Sequence, residues 1–200
     1  MHLYTAQAPN PFRVNAFIAE KNIDIPTTSF NILAGETRNP EFHRKNSLYQ
    51  LPVLELDDGS YLTESVAICR YLESLYPESP LLGTSPLEKA KVDMWTRRME
   101  QQVLDTVGAI GLHTFPFFAD KVEQVAEYAN SMKRLLDTKW RWLDSELSDG
   151  RLYLCNESFS IADITGMAAL WLCGVADIQV PEYKYLKRWE VTVRAHDIWT

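Results

Sequence analysis

Cysteine is scarce in this chain. Cys69, Cys155 and Cys173 are an odd number with no Cys-x-x-Cys spacing, which excludes a disulfide framework and suits a reducing compartment. Histidine is equally sparse. His2, His43, His113 and His196 show no metal-ligand spacing, so no metal is expected. Positive charge is in deficit, with 20 Lys and Arg against 27 Asp and Glu and a net charge of −7. The basic residues form no run that could track phosphates, so nucleic acid is not expected as a partner. No apolar stretch is long enough to span a bilayer, so no membrane partner is expected either. Met1-His2-Leu3-Tyr4 leads directly into patterned sequence with no secretory leader in view, and a cytoplasmic location is the expectation. Internal repeats and low-complexity segments are also missing.

What is present is an ordinary globular composition, 46% hydrophobic over 200 residues, enough for one large domain or two small ones. The first part reads as an α/β unit. His2–Thr5 is a short strand. Asn10-Pro11 opens a helix to about Asn22, with Asn as N-cap, Pro at the first helical position and Val14, Phe17, Ile18 and Lys21 on one stripe. Ser29–Ile32 is a second strand, and Asn39-Pro40 begins a short helix carrying Phe42. Asp58-Gly59 closes a hairpin between Val53–Leu56 and Tyr61–Leu62. A further helix follows, with Thr63 as N-cap and Val66, Cys69, Leu72, Leu75 and Tyr76 at helical spacing. The order is β-α-β-α-β-β-α. A linker with three prolines and a glycine covers Leu75–Pro86. Beyond it the pattern is helical: Leu87–Leu112, Val122–Leu147, a helix entered at Phe159-Ser160-Ile161-Ala162-Asp163-Ile164 and running through Cys173, and one from about Tyr183 to Ala195. Ser160 with Asp163 three residues on is a capping box, and Phe159 can staple to Ile164. Arg151–Cys155 reads as extended.

Two places in the first part carry chemistry. Pro52 cannot donate to a sheet ladder and suits a strand start. A cis bond at Leu51-Pro52 would turn the N–H and C=O of Leu51 outward, free to pair with an extended ligand; a trans proline before an edge strand reads the same residues equally well. At Thr63-Glu64-Ser65 the first-turn N–H groups of a helix are unpaired and its dipole favours an anion. Ser65 adds a hydroxyl donor and Glu64 an acceptor for a cation, so a ligand end bearing carboxylate and ammonium would match. An ordinary capped helix is the alternative.

Four motifs in this order, Ala8-Pro9-Asn10-Pro11-Phe12-Arg13-Val14, Gln50-Leu51-Pro52-Val53-Leu54, Thr63-Glu64-Ser65 and Phe159-Ser160-Ile161-Ala162-Asp163, resemble the cytosolic glutathione transferases over nearly the whole chain. The resemblance implies an α/β thioredoxin-like N-terminal domain that binds glutathione (residues 1–77), a linker (78–86) and an all-α domain (87–200) that supplies the second-substrate pocket. It further implies a homodimer, a small electrophile as second substrate, and no metal. By carry-over, Leu51 pairs through its backbone with the cysteinyl unit, with Pro52 cis. Ser65 holds the γ-glutamyl carboxylate, Glu64 the ammonium, and Gln50 reaches the glycyl end. His113, Phe115, Phe117 and Phe118 fall near the expected apolar pocket, or serve core or dimer packing.

The chemistry implied is activation of the glutathione thiol. Lowering a thiol pKa from about 8.5 by one to two units takes about 1.4–2.7 kcal/mol, and one hydrogen bond to a charged group contributes about 1.5–3 kcal/mol. One donor suffices. The family places a Tyr, Ser or Cys for this after the first strand, and here the pattern breaks. The Ser/Thr position is Ala8, and Tyr4 lies too early, inside the strand. Asn10 is the remaining candidate: its oxygen can cap the helix while its NH₂ faces the thiolate, with the N–H groups of Phe12 and Arg13 adding to the dipole; a pure N-cap is the alternative. Tyr49, in a segment where relatives carry Pro and Gly, could narrow the site or stack on the ligand. The cysteines read as inert core residues and Asp163 as structural. Three functions remain open: a transferase, a glutathione-dependent disulfide oxidoreductase or peroxidase, and a non-catalytic binding protein.

Overall fold

The computed structural model describes residues 1–155, 158–196 and 198. They divide into two compact units, Met1–Leu81 and a second beginning at Leu82.

The first unit is a four-stranded mixed sheet with three helices, as expected of a thioredoxin-like domain. β1 (His2–Ala6) lies beside both β2 (Thr27–Phe30), in parallel, and β3 (Val53–Glu55), antiparallel; β4 (Tyr61–Thr63) closes the order β2-β1-β3-β4. Strand parity assigns the faces. Leu3 pairs with Leu54 and Leu54 with Leu62, placing these three on one face, while Tyr4, Val53 and Thr63 share the other. α1 (Pro9–Glu20) and α3 (Ser65–Leu75) pack together, and Thr5 on the Leu3 face donates to Asn15 Oδ1 of α1 at 3.1 Å. α2 (Pro40–Lys45) meets the Tyr4 face: Phe42 sits edge-on to Phe30 and Lys45 donates to Tyr4 Oη at 3.1 Å. Lys21, just past α1, donates its buried ammonium to Glu73 of α3 at 2.7 Å and to the carbonyls of Glu78 and Ser79.

Several boundaries differ from the sequence expectation. The second strand is Thr27–Phe30 rather than Ser29–Ile32, because Leu3 N–H bonds the Pro26 carbonyl and pairing starts there. Asn31 instead turns the chain, its Oδ1 accepting from Ala34 N–H at 3.1 Å. The buried stripe of α3 is Ser65, Ile68, Cys69 and Leu72; Leu75 is exposed. Asn39 caps α2 as expected, accepting from Phe42 N–H at 2.9 Å.

The second unit is helical, as expected. α4 (Pro86–Arg98), a π-helical segment (Met99–Leu104) and α5 (Asp105–Thr114) follow one another directly. α6 (Ala126–Glu146) starts four residues later than the spacing predicts, since Val125 is extended backbone. α7 (Ile161–Val175) is buried continuously from Ile161 to Leu170, and α8 (Lys184–Arg194) begins where Asp144 of α6 accepts from Tyr185 and Leu186 N–H at 2.7 and 2.8 Å. Residues 151–155 are not a strand: only Tyr153 makes a bridge, and Leu154 N–H goes to Asp163 Oδ1 at 2.9 Å. That carboxylate is fully buried. It also accepts from Ser160 N–H at 3.1 Å, Ser160 Oγ at 3.0 Å and Trp189 Nε1 at 3.0 Å. Burial pushes its pKa up, and these donors oppose the rise. Phe159 stacks on His196 with centroids 3.8 Å apart. Among the described residues no helix is long and apolar enough to cross a membrane.

Candidate functional site

The candidate site is built on the edge of the first unit where β3, β4 and α3 meet. The Leu51–Pro52 peptide is cis. Val53 pairs with Thr63, the last pair of the ladder, and beyond it the chain turns through Glu64 into α3 at Ser65. Neither the N–H nor the C=O of Leu51 bonds to another described residue. An extended ligand therefore finds one donor and one acceptor there, two residues before the ladder begins.

The helix start is sharper than the sequence indicates. Thr63, the expected N-cap, is held in the ladder as the last residue of β4, so the turn into α3 is made at Glu64. Glu64 takes φ 66° and ψ 113°, a conformation non-glycine residues avoid at a cost of about 1–3 kcal/mol. Its carboxylate caps nothing and stands exposed. Ile68 N–H is the first to find a helical partner, Glu64 O at 2.9 Å, which leaves the N–H groups of Ser65, Val66 and Ala67 pointing out of the helix end. Ser65 is buried, and its Oγ accepts from Arg13 Nη1 at 2.8 Å. Arg13 lies inside the quoted α1 motif, but nothing in its spacing assigns it this contact.

Asn46, which the sequence reading passed over, shapes the approach to Leu51. Its buried amide donates to the Gln50 carbonyl at 2.8 Å and accepts from Leu48 N–H at 3.0 Å, and its own carbonyl accepts from Tyr49 N–H at 2.9 Å. Asn is favoured in such local turns, which is the signal that could have found it. Gln50 is exposed, its side chain unengaged among the described residues. Tyr49 adopts φ 58°, and its ring already contacts His43 at 5.0 Å and the Arg38 guanidinium at 5.3 Å.

Asn10 is placed differently from expectation. Pro9, not Pro11, is the first helical residue and Ala8 is the N-cap, so Asn10 is the second residue of α1 and caps nothing. Phe12 N–H is used, bonding Ala8 O at 2.9 Å. Because Pro9 and Pro11 have no N–H, Asn10 supplies the backbone donor of the first three positions. Its side chain is exposed and unengaged among the described residues. Tyr4 points to the opposite sheet face, where its hydroxyl donates to Glu55 at 2.5 Å; that bond, with burial, raises its pKa.

The cysteines offer no ready thiolate. Burial pushes Cys69, Cys155 and Cys173 each up to about 12. Among the described residues no three His, Cys, Asp or Glu side chains stand together as metal ligands. In the second unit, His113 closes α5, its Nδ1 accepting from Val125 N–H at 3.1 Å, and its ring meets Tyr128 edge-on. Phe117 and Phe118 pack edge to face in the following turn, with Lys121 over Phe117.

Comparison with known proteins agrees with this geometry. Residues 1–74 match the family model for the glutathione S-transferase N-terminal domain. Glutathione S-transferase 2 of Saccharomyces cerevisiae is 36% identical over 182 residues, covering 89% of this chain and 78% of the yeast protein. A maleylacetoacetate isomerase of Pseudomonas aeruginosa is 35% identical over 94 residues, 46% of this chain and 44% of that protein. The crystal structure of a glutathione S-transferase domain-containing protein from Marinobacter aquaeolei superposes with a TM-score of 0.92 at 30% identity, with all of both chains covered. The edge-exposed Leu51, the helix end at Glu64-Ser65 and these likenesses lead to one conclusion: the chain belongs to the glutathione S-transferase family.

Proposed function

We propose that this glutathione transferase seats glutathione along the edge from Gln50 to Ser65. Leu51 pairs through its backbone with the cysteinyl unit, and cis Pro52 keeps that edge open. The γ-glutamyl carboxylate lies at the N-terminus of α3 on Ser65, with the ammonium on Glu64, and Gln50 meets the glycyl end. The observation that carries this reading is the pair of unengaged Leu51 backbone groups just before β3, whose first residue pairs with the strand that leads into α3. The bound thiolate then attacks a small electrophile, for which residues 87–200 form the second-substrate pocket.

Asn10 is the proposed activating group. Its amide NH₂ and backbone N–H are the donors of the double-proline first turn of α1, and Ala8 has no side-chain donor. A donor to the thiolate supplying about 1.4 kcal/mol lowers the thiol pKa by one unit. A homodimer in the cytoplasm completes the proposal. Exposed Leu87 and Met94 on α4 and Tyr128 and Leu135 on α6 favour association with a second copy.

Isothermal titration with glutathione tests the seat. Glu64→Ala should weaken binding at least tenfold; unchanged affinity removes the seat, and with it the catalytic reading. Asn10→Ala should raise the pKa of the bound thiol by about one unit, followed by thiolate absorbance, and lower turnover with an aryl halide while KM for glutathione stays within twofold. Unchanged turnover rejects Asn10. Greater activity toward a mixed disulfide, a peroxide or a cis-alkene isomerisation substrate would assign a related glutathione-dependent chemistry instead.

A further inference from the structure

We infer that Arg13 is a positioning residue for the ligand carboxylate, acting through the hydroxyl of Ser65. This rests on the seat proposed above. A serine hydroxyl has one hydrogen to donate and two lone pairs to accept with. Arg13 Nη1, 2.8 Å away, occupies one lone pair, and a guanidinium can only donate. The hydroxyl hydrogen is thereby turned away from Arg13, and no described residue accepts it. What remains in front of it is the end of α3, where the N–H groups of Ser65, Val66 and Ala67 also lack helical partners. All the donors converge on one acceptor of negative charge.

Arg13 is 1% exposed and Ser65 4%, so both are shielded from the water that would otherwise compete for the hydroxyl. A hydroxyl that accepts from a cation is also a stronger donor, because hydrogen bonds in a chain polarise one another. The buried charge adds to the helix dipole behind the carboxylate. A lysine would carry the charge on a flexible stem without the rigid planar fork that fixes the direction of the bond.

Two ligands separate this role from mere structural support: glutathione, and 4-aminobutanoyl-cysteinylglycine, which lacks only the γ-glutamyl α-carboxylate. Their affinities are measured by isothermal titration on the full chain and on Arg13→Met, Ser65→Ala and the double variant. Arg13→Met should weaken glutathione about tenfold and leave the analogue within twofold. In the Ser65→Ala background it should change neither by more than twofold. In turnover, KM for glutathione should rise while kcat stays within twofold. Equal weakening of both ligands, or an Arg13→Met effect of full size without the Ser65 hydroxyl, overturns the role. If Arg13→Met does not fold, Arg13→Lys is measured in its place. A loss for glutathione alone supports the role, and undiminished preference for glutathione overturns it. Wild-type protein that binds both ligands equally would refute the carboxylate seat itself, whatever Arg13 does.

Discussion

Gly166→Ala should destabilise the helical unit, although glycine inside a helix is normally a weakness. On propensity alone the change gains about 1 kcal/mol. Gly166 lies in α7, and a Cβ there would stand 2.6 Å from Trp189 Cη2, 2.7 Å from Trp189 Cζ2 and 3.2 Å from Met99 Cε. The methionine can give way, but the indole cannot. Trp189 is fully buried and its Nε1 donates to Asp163 at 3.0 Å, so moving the ring strains the bond that anchors it to a buried carboxylate. Overpacking costs about 1–3 kcal/mol, and weakening a bond to a buried charged group adds about 1.5–3 kcal/mol. The expected net loss is about 2 kcal/mol, which lowers Tm by about 4–8 °C in a chain of this size. Urea unfolding followed by tryptophan fluorescence, with scanning calorimetry, measures both. Trp189→Phe removes the two offending carbons, so Gly166→Ala should cost at least 1 kcal/mol less in that background, as expected for residues in contact. A Gly166→Ala protein as stable as wild type would show that the indole is not held as described.

Two further outcomes are expected. Asn46→Ala removes both side-chain bonds that hold residues 46–50, at about 0.5–1.5 kcal/mol each; KM for glutathione should rise several-fold, and an unchanged KM would disconnect the turn from the seat. Glu88, lowered to about 2 by the Thr84 hydroxyl and the N–H groups of Ser85 and Thr84, holds the start of α4; because its folded pKa is depressed, its contribution is present above about pH 4.5 and lost as pH falls toward 2, so urea midpoints of wild type and Glu88→Gln should differ at pH 6 and converge by about pH 2.

The local grammar of the chain determined a good deal of this. Asn39-Pro40 could hardly be other than a capped helix start, Asp58-Gly59 other than a hairpin, and Ser160 with Asp163 other than a helix entry, because each is satisfied by bonds within a few residues. The same grammar misled where two local options competed. Asn10-Pro11 reads as cap and first residue, yet Pro9 serves the first position equally well and took it. Thr63 is a good N-cap, but pairing with Val53 kept it in the sheet and left Glu64 to make the turn at positive φ. A second strand at Ser29–Ile32 fits the apolar pattern, and only the partner β1 sets where pairing starts. What tertiary structure alone decided are contacts between residues far apart in sequence: Arg13 on Ser65, Lys45 against Tyr4, and Trp189 over Gly166 against Asp163. Periodicity ranks a residue as inside or outside. It does not say which buried donor meets which acceptor, because that depends on how helices and strands are brought together, and the direction of the Ser65 hydroxyl follows from such a meeting.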